Sequence, residues 1–151
     1  MARRPRSAHP SYGVFHVTSR GVDRCVIFRD KYDYALFENL LAIVQRREKL
    51  NIEAYCLMPN HFHAIVEAEL GSLSRAMHRL KGVYAQGFNA RYERVGPLFQ
   101  GRFDARLVDD DEYFATACEY VWNNPVRADL RAEAHEWPWS GRMLGPSVYG
   151  R

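Results

Sequence analysis

The run NIEAYCLMPNHFHAIVEA, residues 51–68, restricts the fold more than any other part of the chain. NIEAYCLM and HFHAIVEA flank Pro59-Asn60, a dipeptide that marks a tight turn. The pair therefore predicts a β-hairpin. Side chains two apart on a strand point to the same side of the sheet, so His61 and His63 project together and Phe62 points the other way. Paired imidazoles on one face suit a metal site, although partly exposed strand histidines are the commoner reason for such spacing.

The flanking segments extend the pattern. YGVFHVTSRG alternates, with Val14, His16 and Thr18 on one face and Phe15 and Val17 on the other, and predicts a strand ending at Gly21. DKYDYALFENLLAIVQRREKL follows, with Asp30 placed as an N-cap and Tyr34, Phe37, Leu40, Leu41 and Val44 at helical spacing. After the hairpin, Gly71 and Ser72 lead into a second long helix from Leu73, in which Met77, Leu80, Tyr84 and Phe88 keep the beat despite Gly82 and Gly87. RFDARLVD reads as a fourth strand. DDEYFATACEYVWNN opens with acidic residues that favour a helix N-terminus and is expected to stop at Pro125.

The order β-α-β-β-α-β predicts an α+β fold: a ferredoxin-like, RRM-like antiparallel sheet with an additional C-terminal helix carrying Tyr120. Helices cover one face of such a sheet and leave the other for a site. Residues 1–11 read as a flexible basic arm, residues 12–130 as the folded domain, and residues 131–151, rich in Pro, Gly and Trp, as a tail packed on or extending from it.

No apolar run reaches the roughly 20 residues that cross a bilayer, and the basic N-terminus lacks the apolar core of a secretory signal. Cys25, Cys56 and Cys118 are odd in number and widely spaced, which argues against a disulfide framework and for a reducing cytoplasm. Net charge is only +3, yet 18 of the 21 basic residues are arginine, whose planar fork suits phosphate. A GC-rich genome explains that bias equally well, so charge alone leaves nucleic acid open.

Chemistry-bearing residues converge in three places. His61 and His63 share a strand face. Tyr120 and Asn124 lie four apart and share a helix face. Arg102, Arg106 and Arg127 flank both sets. Two imidazoles and the Asn124 carbonyl can hold a divalent cation with positions left open, and a tyrosine beside it can attack phosphorus. Each element alone has an ordinary structural explanation.

Taken in order, FHVTSRGVDRCVIF, AYCLMPNHFHAIVE, GPLFQGRF and YVWNNPVRADL resemble the signature blocks of the REP-associated tyrosine transposases, a group of single-tyrosine HUH transposases. The matched blocks run from about Tyr12 to Leu130. The resemblance implies that His61 and His63 bind Mg²⁺ or Mn²⁺, that Tyr120 is the nucleophile, and that Asn124 completes the metal site where relatives often carry glutamine. It implies cutting and rejoining of single-stranded or hairpin DNA through a 5′-phosphotyrosine intermediate, on REP-like palindromes, by a cytoplasmic, nucleoid-associated bacterial protein. The branch it resembles keeps the tyrosine helix in cis, which implies a monomer; a helix-exchanged dimer is the alternative. A phenol is mostly protonated at neutral pH, and a nearby cation favours its phenolate; His16 and Glu67 are the weak candidates for a general base.

DNA contacts are expected from Arg3, Arg4 and Arg6 in the arm, and from Lys81 (with Arg79), Arg102, Arg106 and Arg127. Tyr12, Phe99 and Trp122 are candidates for base stacking. Two competing readings stand beside transposition. One is a domesticated protein that holds hairpin DNA without cutting it; the other is a metal-dependent hydrolase of small phosphoesters.

Overall fold

The computed structural model describes residues 11–141. Five antiparallel strands form one sheet in the order β4-β1-β3-β2-β5, from β1 (Tyr12–Arg20), β2 (Asn51–Met58), β3 (His61–Glu69), β4 (Asp104–Val108) and β5 (Ser140–Gly141). Helices α1 (Lys31–Glu48) and α2 (Leu70–Arg91) link the strands as the ferredoxin-like order requires. Helix α3 (Asp111–Trp122) and the single turn α4 (Asn124–Arg127) follow β4. The expected α+β architecture is therefore the observed one.

Alternation along β1 and β3 divides the two faces. Phe15, Val17 and Phe62 are buried against α1 and α2. There Phe37 of α1 meets Phe62 at 4.9 Å between ring centres and Tyr84 of α2 at 5.1 Å. The opposite face carries His16 and Thr18 of β1 beside His61 and His63 of β3, because β1 and β3 pair with Thr18 opposite His63 and Arg20 opposite His61. β4 pairs with β1 on the other side, placing Asp104 opposite Thr18 and Arg106 opposite His16. Helix α3 packs across this second face, against β2, β3 and β4.

Local chemistry explains most element ends. The Asp30 carboxylate accepts from the amides of Tyr32 and Asp33, and Asp110 accepts from Tyr113 N, so both acidic residues cap helices. Helix α2 begins at Leu70, three residues before the expected Leu73, with Gly71 and Ser72 inside its first turn. Arg102 precedes β4 instead of lying on it. Pro125 also departs from expectation: α3 stops at Trp122, and the proline opens α4, where its missing N–H costs no helical hydrogen bond.

Part of the C-terminal segment is held tightly. Trp137 Nε1 donates to the Leu57 carbonyl at 2.9 Å, and Leu57 N donates to Trp139 O at 2.8 Å. The Trp139 ring stacks on Tyr34 at 4.9 Å and nearly parallel. These contacts lay β5 along the free edge of β2, a strand too short to register in sequence periodicity.

Gly21 closes β1 where three segments meet: its amide donates to Asn60 O at 2.9 Å, and it bridges to Phe99. A Cβ at this position would stand 2.3 Å from the Cys25 carbonyl oxygen. Gly21→Ala is therefore expected to lose about 1–3 kcal/mol of stability through forced backbone displacement, measured by urea unfolding; an unchanged midpoint would show that the turn yields freely.

Candidate functional site

On the α3 side of the sheet, three imidazoles form a row. His61 and His63 have ring centres 4.9 Å apart, and His16 and His63 are 5.2 Å apart. Tyr120, near the end of α3, brings its ring to 5.9 Å from His63 and 6.0 Å from His16. Its side is open: Tyr120 is 47% exposed. A cavity of about 430 Å³ lies between β1, β4 and α3, lined by His16, His63, Asp104, Arg106 and Tyr120 among others. A second of about 500 Å³ continues past His61 and His63 to Arg20, Gln100 and Arg102.

The imidazoles are held neutral. Burial, with Arg106 adding to it, lowers His16 to about 4. Burial, with neighbouring His61, His16 and Arg127, lowers His63 to about 3. His61 is lowered by burial and by Arg20. Neutral rings keep a lone pair for a cation. Desolvation disfavours the charged form, and the arginines deepen that preference.

Stability follows with a definite sign. Unfolded histidine takes up its proton near pH 6.5, whereas folded His16 and His63 resist protonation down to about 4 and 3. The unfolded chain thus binds more protons below pH 6.5, and the metal-free fold weakens as pH falls. On the order of 2 kcal/mol per imidazole is expected to be lost between pH 7 and pH 5. Urea midpoints at the two pH values measure it, and equal midpoints would contradict the depressed values.

Arg127 is committed to the tyrosine: its guanidinium carbon lies 3.8 Å from the Tyr120 ring centre, and it donates to the Tyr120 carbonyl. Asn124 is buried in α4, and its Nδ2 has no hydrogen-bond partner. Leaving such a group unmade costs about 1–3 kcal/mol, and the same amide turned over presents its oxygen instead. Among the described residues, no group of three or more His, Cys, Asp or Glu side chains is arranged to hold a metal ion. Of the three ligands expected from sequence, His61 and His63 share this sheet face with ring centres 4.9 Å apart, and Asn124 offers an unpaired buried amide; imidazole nitrogens and an amide oxygen are donor types that suit a divalent cation.

The other residues singled out from sequence divide. Arg102 and Arg106 line the cavities. Lys81 donates to Gly101 O at 2.9 Å and sits over the Phe99 ring, holding the loop before β4. Phe99 is buried, Trp122 Nε1 reaches Gly141 O at 3.5 Å, and Tyr12 is 58% exposed with its hydroxyl hydrogen-bonded to Glu67, so Tyr12 is the most open ring of the three. Arg3, Arg4 and Arg6 lie outside the described residues. Sequence reasoning gave His16 only a minor place. Its signal was the strand order: adjacent β1 and β3 set His16 diagonally beside His63.

Fold and site together define a class, a ferredoxin-like domain with a histidine pair and a facing tyrosine on its second sheet face. The chain belongs to the family described as transposase IS200 like, whose model matches residues 11–124. It is 24% identical over 98 residues to a Haemophilus influenzae protein assigned by name as a REP-associated tyrosine transposase. That match spans 58% of this chain and 56% of the relative, so the chain covers little more than half of the relative's length. In structure it is similar to a REP-associated tyrosine transposase bound to a REP hairpin, with a TM-score of 0.74 over 93% of this chain and 82% of the other, at 20% identity. A Deinococcus radiodurans crystal structure assigned as a transposase gives 0.51 over 81% of this chain and 97% of the other, at 17% identity. Both likenesses establish the fold. No helix among the described residues is long and apolar enough to cross a membrane.

Proposed function

We propose that this chain cuts and rejoins single-stranded or hairpin DNA in a metal-dependent transposition reaction, with Tyr120 as the nucleophile. The observation that carries the reading is the Tyr120 ring 5.9 Å from His63 on the second face of an IS200-like transposase fold. Support for a hairpin substrate comes from the structural relative that holds a REP hairpin.

His61, His63 and Asn124 would hold Mg²⁺ or Mn²⁺. That cation supplies polarisation of a phosphoryl oxygen and offsets charge in the transition state. The Tyr120 oxygen forms a bond to phosphorus as the bond from phosphorus to the 3′ oxygen breaks. The phenol gives up its proton to water and the leaving 3′ oxygen takes one up, leaving a 5′-phosphotyrosine and a free 3′ hydroxyl. A 3′ hydroxyl from another end then reverses the step, so rejoining needs no outside energy. Arg127 stacks on the Tyr120 ring and fixes its direction. Arg102 and Arg106 supply positive charge where the phosphate chain would enter. Since α3 brings Tyr120 to His63 within one chain, a monomer suffices for this chemistry.

The test is a synthetic hairpin carrying single-stranded flanks, designed on REP-like palindromes and incubated with Mn²⁺. The expected products are a detergent-resistant protein–DNA adduct and a shortened strand ending in a 3′ hydroxyl, both prevented by a chelator. Retarded migration without any cut product, across several divalent metals, would contradict the reading and leave a hairpin-binding protein. Turnover of a generic phosphodiester without an adduct would replace it with a hydrolase.

A further inference from the structure

The two histidines proposed as ligands each have a second nitrogen, and the structure gives both a partner. On His61, Nδ1 lies 2.7 Å from Asn60 Oδ1. The orientation of that amide is set at its other end, where Asn60 Nδ2 donates to the Arg24 carbonyl at 3.3 Å. An amide oxygen only accepts, so His61 carries its hydrogen on Nδ1 and keeps the lone pair on Nε2. On His63, Nδ1 lies 3.0 Å from Nε2 of His16. Two lone pairs would repel at that distance, so one hydrogen lies between the rings.

We propose that His16 is the positioning residue for His63. Its Nε2 accepts the Nδ1 hydrogen of His63, and its own hydrogen sits on Nδ1. His63 then matches His61, and both present an Nε2 lone pair from the same strand face. The inference rests on the metal site proposed above and adds what orients it. A ligand histidine whose other nitrogen donates to a fixed acceptor is locked in tautomer and ring angle and is made more basic. Asn60 performs this for His61 from the hairpin turn, and His16 performs it for His63 from the neighbouring strand. Asn60 adjoins its ligand in sequence, whereas His16 lies 47 residues from His63 and meets it only through the β1–β3 register.

The alternative geometry is His16 as a third ligand, since two nitrogens of one coordination sphere also approach to about 3 Å. No three-donor group of His, Cys, Asp or Glu is arranged for metal among the described residues, which favours the positioning role.

Nitrogen-15 imidazole spectra of the metal-free protein at neutral pH test the claim directly. In wild type, His63 is expected to show a protonated Nδ1 and an unprotonated Nε2; the reverse tautomer would overturn the proposal. His16→Phe removes the acceptor and should shift His63 toward the Nε2-protonated form and weaken Mn²⁺ binding by about 10- to 100-fold. His16→Gln places an amide oxygen at similar reach and should restore the tautomer and bring affinity to within a few-fold of wild type. Equal loss in both variants would overturn the acceptor role. Electron spin-echo spectra of bound Mn²⁺ should count two coordinated imidazoles; three would make His16 a ligand. If wild type binds no Mn²⁺, the proposed metal site falls, while the metal-free nitrogen spectrum still decides the tautomer of His63.

Discussion

Tyr120→Phe is expected to abolish the covalent protein–DNA adduct altogether, and strand cleavage with it, while leaving the fold intact. Phenylalanine keeps the ring on which Arg127 rests at 3.8 Å, so the end of α3 and the turn into α4 should hold their places. Because Tyr120 is 47% exposed, losing its hydroxyl is expected to change stability by no more than about 0.5 kcal/mol. Hairpin affinity should stay within a few-fold, since charge and shape at the cavity are unaltered. The comparison separates chemistry from binding: one oxygen goes, and only the step that needs a nucleophile stops. Cleavage at the wild-type rate by the variant would assign attack to another group, with water the first candidate.

The second large effect lies on the opposite face. Phe37→Ala is expected to lose about 3–5 kcal/mol, a large share of the 5–15 kcal/mol typical of a domain. Phe37 is fully buried and touches three other rings: Phe28 at 5.3 Å, Phe62 at 4.9 Å and Tyr84 at 5.1 Å. Phe62 sits between His61 and His63 with its side chain on the core side, so this packing sets the height of the strand that presents both imidazoles. A cavity there loosens α1, α2 and β3 together. Urea unfolding should show a lower midpoint with an unchanged slope, and Phe37→Leu should lose less. A loss below about 1 kcal/mol for alanine would mean that the core collapses readily around the gap.

The order of elements was legible because alternation and helical spacing act over many residues. Phe15, Val17 and Phe62 face one way and His16, Thr18 and His63 the other, as a period of two dictates. Asp30 announced its helix because a carboxylate before a helix satisfies otherwise unpaired amides, and the acidic run at 110–112 marked another start because negative charge suits a helix N-terminus. Contacts made across the sequence were not legible. Lys81 and Arg127 look alike on a linear chain, and only the fold shows that one donates to Gly101 O and the other lies over the Tyr120 ring. The pairing of His16 with His63 depends on which strands are neighbours, and hydrophobic pattern does not encode that order. Pro125 was misleading for a local reason: proline is as welcome at the start of a helical turn as it is unwelcome inside one.

Adduct formed on a hairpin oligonucleotide with Mn²⁺ can be digested with protease and nuclease and its nucleotide-bearing peptide sequenced by mass spectrometry. The account predicts a single modified peptide from α3, with the phosphate carried on the oxygen of Tyr120. Attachment at any other side chain, or cut DNA with no attached peptide in a reaction stopped before completion, would contradict it.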